Sequence, residues 1–187
     1  MVIEEKELLK AMKDAKKTCG YYVALKNDDE DSEIIIQVPG RWKVTVLQQN
    51  ISRKVLGLIT EHLGKFMSPG DAYQVKKKEP QTVIYSIATD SFMDDETEAQ
   101  TPVRIRRTDL DYQGAGLWQR DGDNKMFCIA PELEDMMDSH GRNVYIHGDK
   151  VISITGAVSS VFVIPANMGS DSGKMDHLSG IRWVPEI

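Results

Sequence analysis

The sequence predicts an α+β protein in which most of the strands pair antiparallel. Two segments in the first third of the chain carry apolar residues with the period of about 3.6 that marks an amphipathic helix. Most of the remaining chain consists of short runs rich in β-branched and aromatic residues, separated by turn-forming residues as in hairpins. With 187 residues, of which 41% are hydrophobic, the chain is long enough to bury the core of one domain or of two small ones.

The first predicted element is a helix over residues 2–18, with Gly20 placed to end it. Its apolar face comprises Leu8, Ala11, Met12, Ala15 and Cys19. The strand-like runs that follow are YYVALK, EIIIQV and WKVTVLQ. A second amphipathic helix is predicted at about residues 52–64, between Ser52 as N-cap and Gly64 as C-cap. The runs AYQVKKK and TVIYSIATD then form a predicted hairpin.

An acidic segment divides the chain. DSFMDDETEAQTP, residues 90–102, has few apolar residues and ends in proline, which is typical of a linker. It predicts two similar-sized subdomains, an N-terminal α+β unit at 1–89 and a C-terminal β-rich unit at 103–187. In the second unit we predict strands at VRIRR, LDYQGAGLW, KMFCIA and SSVFVIPAN, and a short helix at about 131–140 that begins at Pro131.

Charge and cysteine content limit the partners and the compartment. The formal net charge is −6, but residues 1–89 contain 14 basic and 12 acidic residues, whereas residues 90–187 contain 9 and 17. An acidic chain does not attract phosphate backbones at long range, so nucleic-acid binding would need a local basic patch. The chain has two cysteines, no apolar run long enough to span a bilayer, and no signal-peptide core. We therefore predict a cytoplasmic protein without membrane contact.

The segment NVYIHGDKVISITG, residues 143–156, concentrates a histidine, an aspartate and a lysine within four residues. Gly148-Asp149 fits a two-residue type II′ turn, because glycine accepts the positive φ of the first turn position. The predicted strand pairs are His147–Lys150, Ile146–Val151 and Tyr145–Ile152. We interpret the segment as a hairpin tip, with a reactive site at His147 as the alternative. We predict a second hairpin loop at Asp121 to Asn124.

The other histidines lack the spacing of a metal site. His62 falls in the apolar arc of the second helix, so we predict that it is partly buried and bonded to nearby backbone, with catalysis or metal binding as the alternative. His140 is predicted in the last turn of the short helix and His177 in a loop. No histidine pair has helical ligand spacing and no Cys-x-x-Cys occurs, so no metal is expected.

Two glycine-rich segments depart from nucleotide-binding loops. GSDSGKM, residues 169–175, has three residues between its glycines where such a loop needs four, and methionine follows its lysine. GAG at 114–116 lacks the third glycine and the helix of a dinucleotide fingerprint. No cofactor is expected.

We favour a non-enzymatic binding or assembly protein with a protein partner or self-association. Gly57 is its interface candidate, because a mid-helix glycine costs about 0.5–1 kcal/mol relative to alanine unless something must approach closely. An alternative is a small enzyme with a site assembled across the fold. Its candidate catalytic residues are His62, His147, Asp109 and Asp111.

The second alternative is a nucleic-acid-associated factor. Arginines mixed with aromatic rings can hold a single strand by charge and stacking, although they also occur on solvated strand faces paired with acids. The candidates are Arg104, Arg106, Arg107, Trp118 and Arg120. Residues 126–168, which end in VFVIPANM, resemble in hydrophobic pattern the closing part of a sliding-clamp domain. This resemblance covers under a quarter of the chain without a specific motif, and it implies association with DNA.

Overall fold

The structure is a computed structural model of the protein. It describes residues 4–26, 32–90, 95–137, 143–156, 159–163 and 181–183. The predictions for His140, for the loop at 169–175 and for His177 lie outside these residues. The described helices are α1 (Glu5–Lys17), α2 (Arg53–Leu63), α3 (Tyr85–Thr89), α4 (Asp95–Glu98) and α5 (Pro131–Glu134), with a 3-10 turn at Gln48–Asn50. The described strands are β1 (Tyr21–Lys26), β2 (Glu33–Val38), β3 (Trp42–Leu47), β4 (Ala72–Val75), β5 (Gln81–Thr82), β6 (Val103–Tyr112), β7 (Ala115–Arg120), β8 (Met126–Ile129), β9 (Val144–His147), β10 (Val151–Gly156) and β11 (Ser159–Val163).

The two predicted amphipathic helices are confirmed. The buried side chains of α1 are Leu8, Met12 and Ala15, and the buried apolar side chains of α2 are Val55, Leu58, Ile59 and Leu63. Ser52 caps α2 by accepting a 3.1 Å hydrogen bond from the backbone N–H of Val55. Gly64 ends α2 with a φ of 71°. Because α1 ends at Lys17, Cys19 lies beyond the helix and is exposed, contrary to its predicted place on the apolar face.

The α+β fold with antiparallel sheets is confirmed. The strand order is β5-β4-β1-β2-β3-β11-β10-β9-β6-β7-β8. Strand β6 connects two sheet bodies, because Val103 and Arg104 pair with β9 while the strand from Ile105 onward pairs with β7. Strand β11 pairs with β3, from Ser159 opposite Val46 to Val163 opposite Trp42. The division into subdomains at residues 1–89, 90–102 and 103–187 stays a prediction.

The prediction that TVIYSIATD forms the second strand of a hairpin is wrong beyond Thr82, its first residue. Only Gln81 and Thr82 pair with β4, and the chain then forms α3. The helix buries Ala88 against Ala24, Ile35 and Ala72. These sheet residues alternate with those that face α1 and α2, so α3 covers the opposite face of the sheet. By forming α3 the chain covers this part of the sheet, which a strand paired edge to edge with β4 would not do.

The short helix begins at Pro131 as predicted but ends at Glu134 instead of about residue 140. Leu133, Met136 and Met137 are all buried. Adjacent residues on a helix point about 100° apart, so leaving the helix lets both methionines enter the core. The acidic segment at 90–102 contains α4, in which Thr97 is buried. Among the described residues, no helix combines the length and apolar character needed to cross a membrane.

Candidate functional site

The His147 segment is a hairpin tip as predicted, but the predicted register is wrong by one residue. His147 pairs with Val151 and Ile146 with Ile152, so Lys150 belongs to the loop. Gly148 has the expected positive φ of 59°. The observed register places Val144, Ile146, Ile152 and Ile154 together in the core, whereas a shift by one residue would turn half of them outward.

His147 takes part in a local hydrogen bond within this hairpin. One of its ring nitrogens, Nε2, lies 2.7 Å from the hydroxyl oxygen of Ser153. Burial lowers the pKa of His147. The side chain is therefore a neutral, half-buried partner of a serine near neutral pH. A serine bonded to a histidine is one part of a nucleophilic site, but no carboxylate hydrogen-bonds to this imidazole in the described chain.

Asp149 joins this hairpin to the neighbouring one at residues 121–124. Arg120 donates to Asp149 at 2.8 Å and to the backbone oxygen of Gly148 at 3.0 Å. Arg120 also bonds Asp123 through two nitrogens, and Lys125 bonds Asp149 at 2.5 Å. Burial acts to raise the pKa of Asp149, but Lys125 and Arg120 outweigh it and hold that pKa below its ordinary value. The charged groups at this tip neutralise one another.

His62 is buried, with 8% of its surface exposed. Its Nδ1 atom lies 2.8 Å from the hydroxyl oxygen of Tyr21, so its partner is a side chain and not the predicted backbone. Burial lowers the pKa of His62, and the positive charges of Lys16 and Lys13 lower it further. Burial also raises the pKa of Tyr21. The pair is thus two neutral groups within the core between α2 and β1.

Asp109 and Asp111 lie on β6, and both are exposed. Asp111 forms an ion pair with Arg107 at 2.5 Å, and Arg107 also binds Glu134 at 2.5 Å. This network passes over Gly116, where an added Cβ would lie 2.6 Å from the Arg107 Nε atom. Within the described chain, no hydrogen bond or ion pair joins any two of His62, His147, Asp109 and Asp111.

The arginine segment lacks the arrangement expected of a single-strand platform. Trp118 is buried in the core with 6% of its surface exposed, so its ring offers no face for a base. Arg107 and Arg120 are engaged by carboxylates of the C-terminal half, and Arg106 bonds Asp121 at 3.1 Å. Arg104 is half-buried at the junction of β6 and β9. The role of these residues in nucleic-acid binding stays a prediction.

Gly57 lies on the exposed side of α2. A Cβ added there would have no atom within 4 Å, so no part of the described chain requires this glycine. Its role at an interface with another molecule stays a prediction.

Sequence analysis missed a surface on which two lysine clusters meet. The end of α1 contributes Lys16 and Lys17, and the connection between β4 and β5 contributes Lys76, Lys77 and Lys78. These five residues, which we call the lysine surface, line a concavity of about 480 Å³. The other lining residues are Thr18, Cys19, Gln74, Glu79 and Gln81.

Pairing between β1 and β4 brings the two clusters together. Tyr21 is opposite Val75, so the turn after α1 lies beside the residue that follows β4. Gly20 has a φ of 83°, and a Cβ there would lie 2.7 Å from the Cγ atom of Lys76 and 2.9 Å from the Val75 oxygen. Glycine is therefore needed for this close approach. The lysine runs KK and KKK were the only local signal of the site, and the pairing of β1 with β4 makes them neighbours.

The lysine surface has little compensating negative charge. In the described part of the chain, Lys16, Lys76, Lys77 and Lys78 form no ion pair, and Lys17 has a loose one with Asp14 at 3.9 Å. Glu79 is the acidic residue among those lining the concavity. This arrangement can bind anions by charge.

A second cleft lies between α1 and α5 and is lined by three acidic and two basic side chains. Its volume is about 230 Å³, below the roughly 300–1,000 Å³ of small-molecule sites. Trp42, Leu133 and Met136 contribute to its lining, and Arg41 and Glu132 form a 3.1 Å ion pair at its edge. We therefore take the lysine surface as the candidate site.

Metal ligands and known relatives add no further assignment. Among the residues that the structure describes, no three His, Cys, Asp or Glu side chains are grouped as a metal ion would require. No protein-family model matches the chain, and neither a curated protein nor a solved structure matches it.

Proposed function

We propose that the protein is a non-enzymatic binding protein and that the lysine surface holds an anionic macromolecule. The convergence of five lysines from two distant segments on one concavity carries this proposal. Four of these lysines have no ion pair within the described residues, so their positive charge is available to a partner.

The contrast with the arginines supports the choice of this surface. Arg107 and Arg120 are each bonded to two carboxylates, so a ligand would have to displace existing bonds to reach them. Four of the five lysines would exchange only water and counterions for the ligand. An anion therefore gains more at the lysine surface than at the arginine segment.

The overall charge makes binding local. The whole chain carries −6, but charges further apart than about 8 Å, the screening length at physiological salt, hardly interact. Inside that distance the lysines dominate. We expect this function in the cytoplasm, because Cys19 and Cys128 are both free thiols, as a reducing compartment favours.

Retention on heparin, a sulfated polyanion, tests the proposal. We expect the protein to bind a heparin column at low salt and the double variant Lys77→Glu/Lys78→Glu to elute at a clearly lower salt concentration. The matched control is Lys6→Glu/Lys54→Glu, which changes the total charge equally at exposed lysines already paired with Glu7 and Glu5. Equal elution of the two variants, or no retention of the parent protein, would contradict the proposal.

A further inference from the structure

We infer that the anionic partner is a nucleic-acid duplex, held by its phosphate backbone without reading of the base sequence. This inference rests on the proposed function and names the partner of the same surface. Three observations support it: the lysines that line the concavity, the absence of aromatic and arginine side chains from that lining, and the acidic excess of the C-terminal half.

The lining is too polar for a protein partner. Protein interfaces are organised around an apolar centre, whereas interfaces with nucleic acid are more polar and much more positively charged. Of the ten lining residues, five are lysines, and Cys19 is the only one without a charged, hydroxyl or amide group. An acidic peptide would find charge here but no apolar anchor. The phosphate backbone needs none.

The lining also favours a duplex over a single strand. Proteins that hold single strands stack the bases on aromatic rings, and no aromatic side chain is among the ten lining residues. Sequence-specific contacts use planar groups such as arginine, which the lining also lacks. Lysines act as point charges toward phosphates. A duplex offers the densest regular row of phosphates, about one charge per 1.7 Å of its axis.

The charge of the rest of the chain fixes how a duplex would approach. Residues 90–187 contain 9 basic and 17 acidic residues, so most of that half repels a polyanion. The lysine surface lies between α1 and β4–β5, entirely within the N-terminal half. A duplex would therefore dock on this side, with five phosphates neutralised if each lysine of the lysine surface binds one.

The number of lysines sets a measurable salt dependence. Each neutralised phosphate of a duplex contributes about −0.9 to the slope of log K against log salt concentration. Five contacts give a slope of about −4.5, and the dissociation constant should be in the range of about 10⁻⁴–10⁻⁶ M for sequence-independent binding. Duplexes of different sequence should bind equally.

Fluorescence anisotropy with a labelled mixed-sequence DNA duplex tests the inference across a salt series. We expect Lys77→Gln/Lys78→Gln to reduce the slope by about 1.8 and the affinity by up to about sixtyfold at 0.1 M salt. Lys6→Gln/Lys54→Gln should change both much less, because these lysines are already paired with Glu7 and Glu5. Since Lys77 and Lys78 are exposed, thermal unfolding of both variants should match the parent and exclude misfolding as the cause.

Three further measurements distinguish the alternatives. Tighter binding to the corresponding single strand, or equal binding to polyglutamate, would overturn the inference while heparin retention still upheld the proposed function. Salt-sensitive self-association in light scattering, lost in Lys77→Gln/Lys78→Gln without duplex binding by the parent, would assign the surface to a second copy and overturn it also. If the parent protein bound neither heparin nor the duplex, both proposals would be contradicted.

Discussion

At the scale of single residues, His62 shows how burial determines what a titratable group can do. Its imidazole lies in the core, where Tyr21 and not the backbone is its hydrogen-bond partner. The helical period was enough to predict that His62 is at least partly buried. Its partner could not be predicted, because Tyr21 is 41 residues away in the sequence and becomes a neighbour only through packing of α2 against β1.

Protonation of His62 should weaken the fold. Its pKa is lowered in the folded protein by burial and by Lys16, so the unfolded chain takes up the proton at a higher pH, near the ordinary value of 6.5. Stability is therefore full above that pH and falls as the pH decreases through and below it. We expect urea titrations to show this loss in the parent protein and a smaller loss in His62→Gln.

The pH dependence of stability that remains in His62→Gln has a definite source. Burial also lowers the pKa of His147, which contributes a loss in the same direction. A double variant with His147→Gln should flatten the profile further. An unchanged pH profile in His62→Gln would show that His62 is not held neutral in the core.

At the scale of secondary-structure elements, α2 contains a glycine that the fold itself does not need. Gly57 is exposed, and a methyl group there would meet no atom of the described chain within 4 Å. We expect Gly57→Ala to raise the free energy of unfolding by about 0.5–1 kcal/mol, because alanine loses less backbone entropy in a helix. Denaturant titration measures this gain.

The same variant tests Gly57 as an interface residue. If the interface hypothesis holds, the stabilised variant should lose self-association or retention of a partner, because the methyl group would occupy the contact. A more stable variant with unchanged sizing and partner retention would contradict the hypothesis.

The elements also show where local sequence stops being informative. The helices α1 and α2 were predictable because period and capping residues are local. The register of β9 and β10 was not, since both faces near the tip carry apolar residues and only the core contact of Ile146 with Ile152 selects the pairing. Helix α3 and the lysine surface depend on β1 and β4 as neighbours, which no local pattern of residues specifies.

Arg120 connects two hairpin tips that are distant in sequence. Its bonds to Asp123, Asp149 and the Gly148 oxygen fix the loop after β7 against the loop after β9. We expect Arg120→Ala to lower the free energy of unfolding by roughly 1–2 kcal/mol, since these charge-assisted bonds share one largely buried guanidinium group. Thermal unfolding measures the change.

Arg41 provides the matched control for Arg120. Its ion pair with Glu132 is exposed on both sides, and such pairs contribute about 0–1 kcal/mol. Arg41→Ala should therefore change the stability much less than Arg120→Ala. Equal effects of the two substitutions would show that the Arg120 network does not hold the hairpins together.

At the scale of the whole molecule, charge and core are distributed differently. Charge separates the two halves of the sequence, with the lysine surface in the first half and most of the acidic excess in the second. The core runs through both. One connected apolar cluster extends from Leu8 and Ile36 to Trp118, Met136 and Ile154. Binding can therefore be local to one half while stability belongs to both.

This continuous core predicts a single unfolding transition. Packing of the α5 region against α1 and pairing of β11 with β3 mean that loss of either half exposes apolar surface of the other. Unfolding followed by tryptophan fluorescence and by far-ultraviolet circular dichroism should coincide, as it does for cooperative single units. Trp42 reports on the first half, and Trp118 and Trp183 report on the second. Two separated transitions would instead establish independent subdomains on either side of residues 90–102, and a fluorescence measurement on Trp42→Phe would show which of them unfolds first.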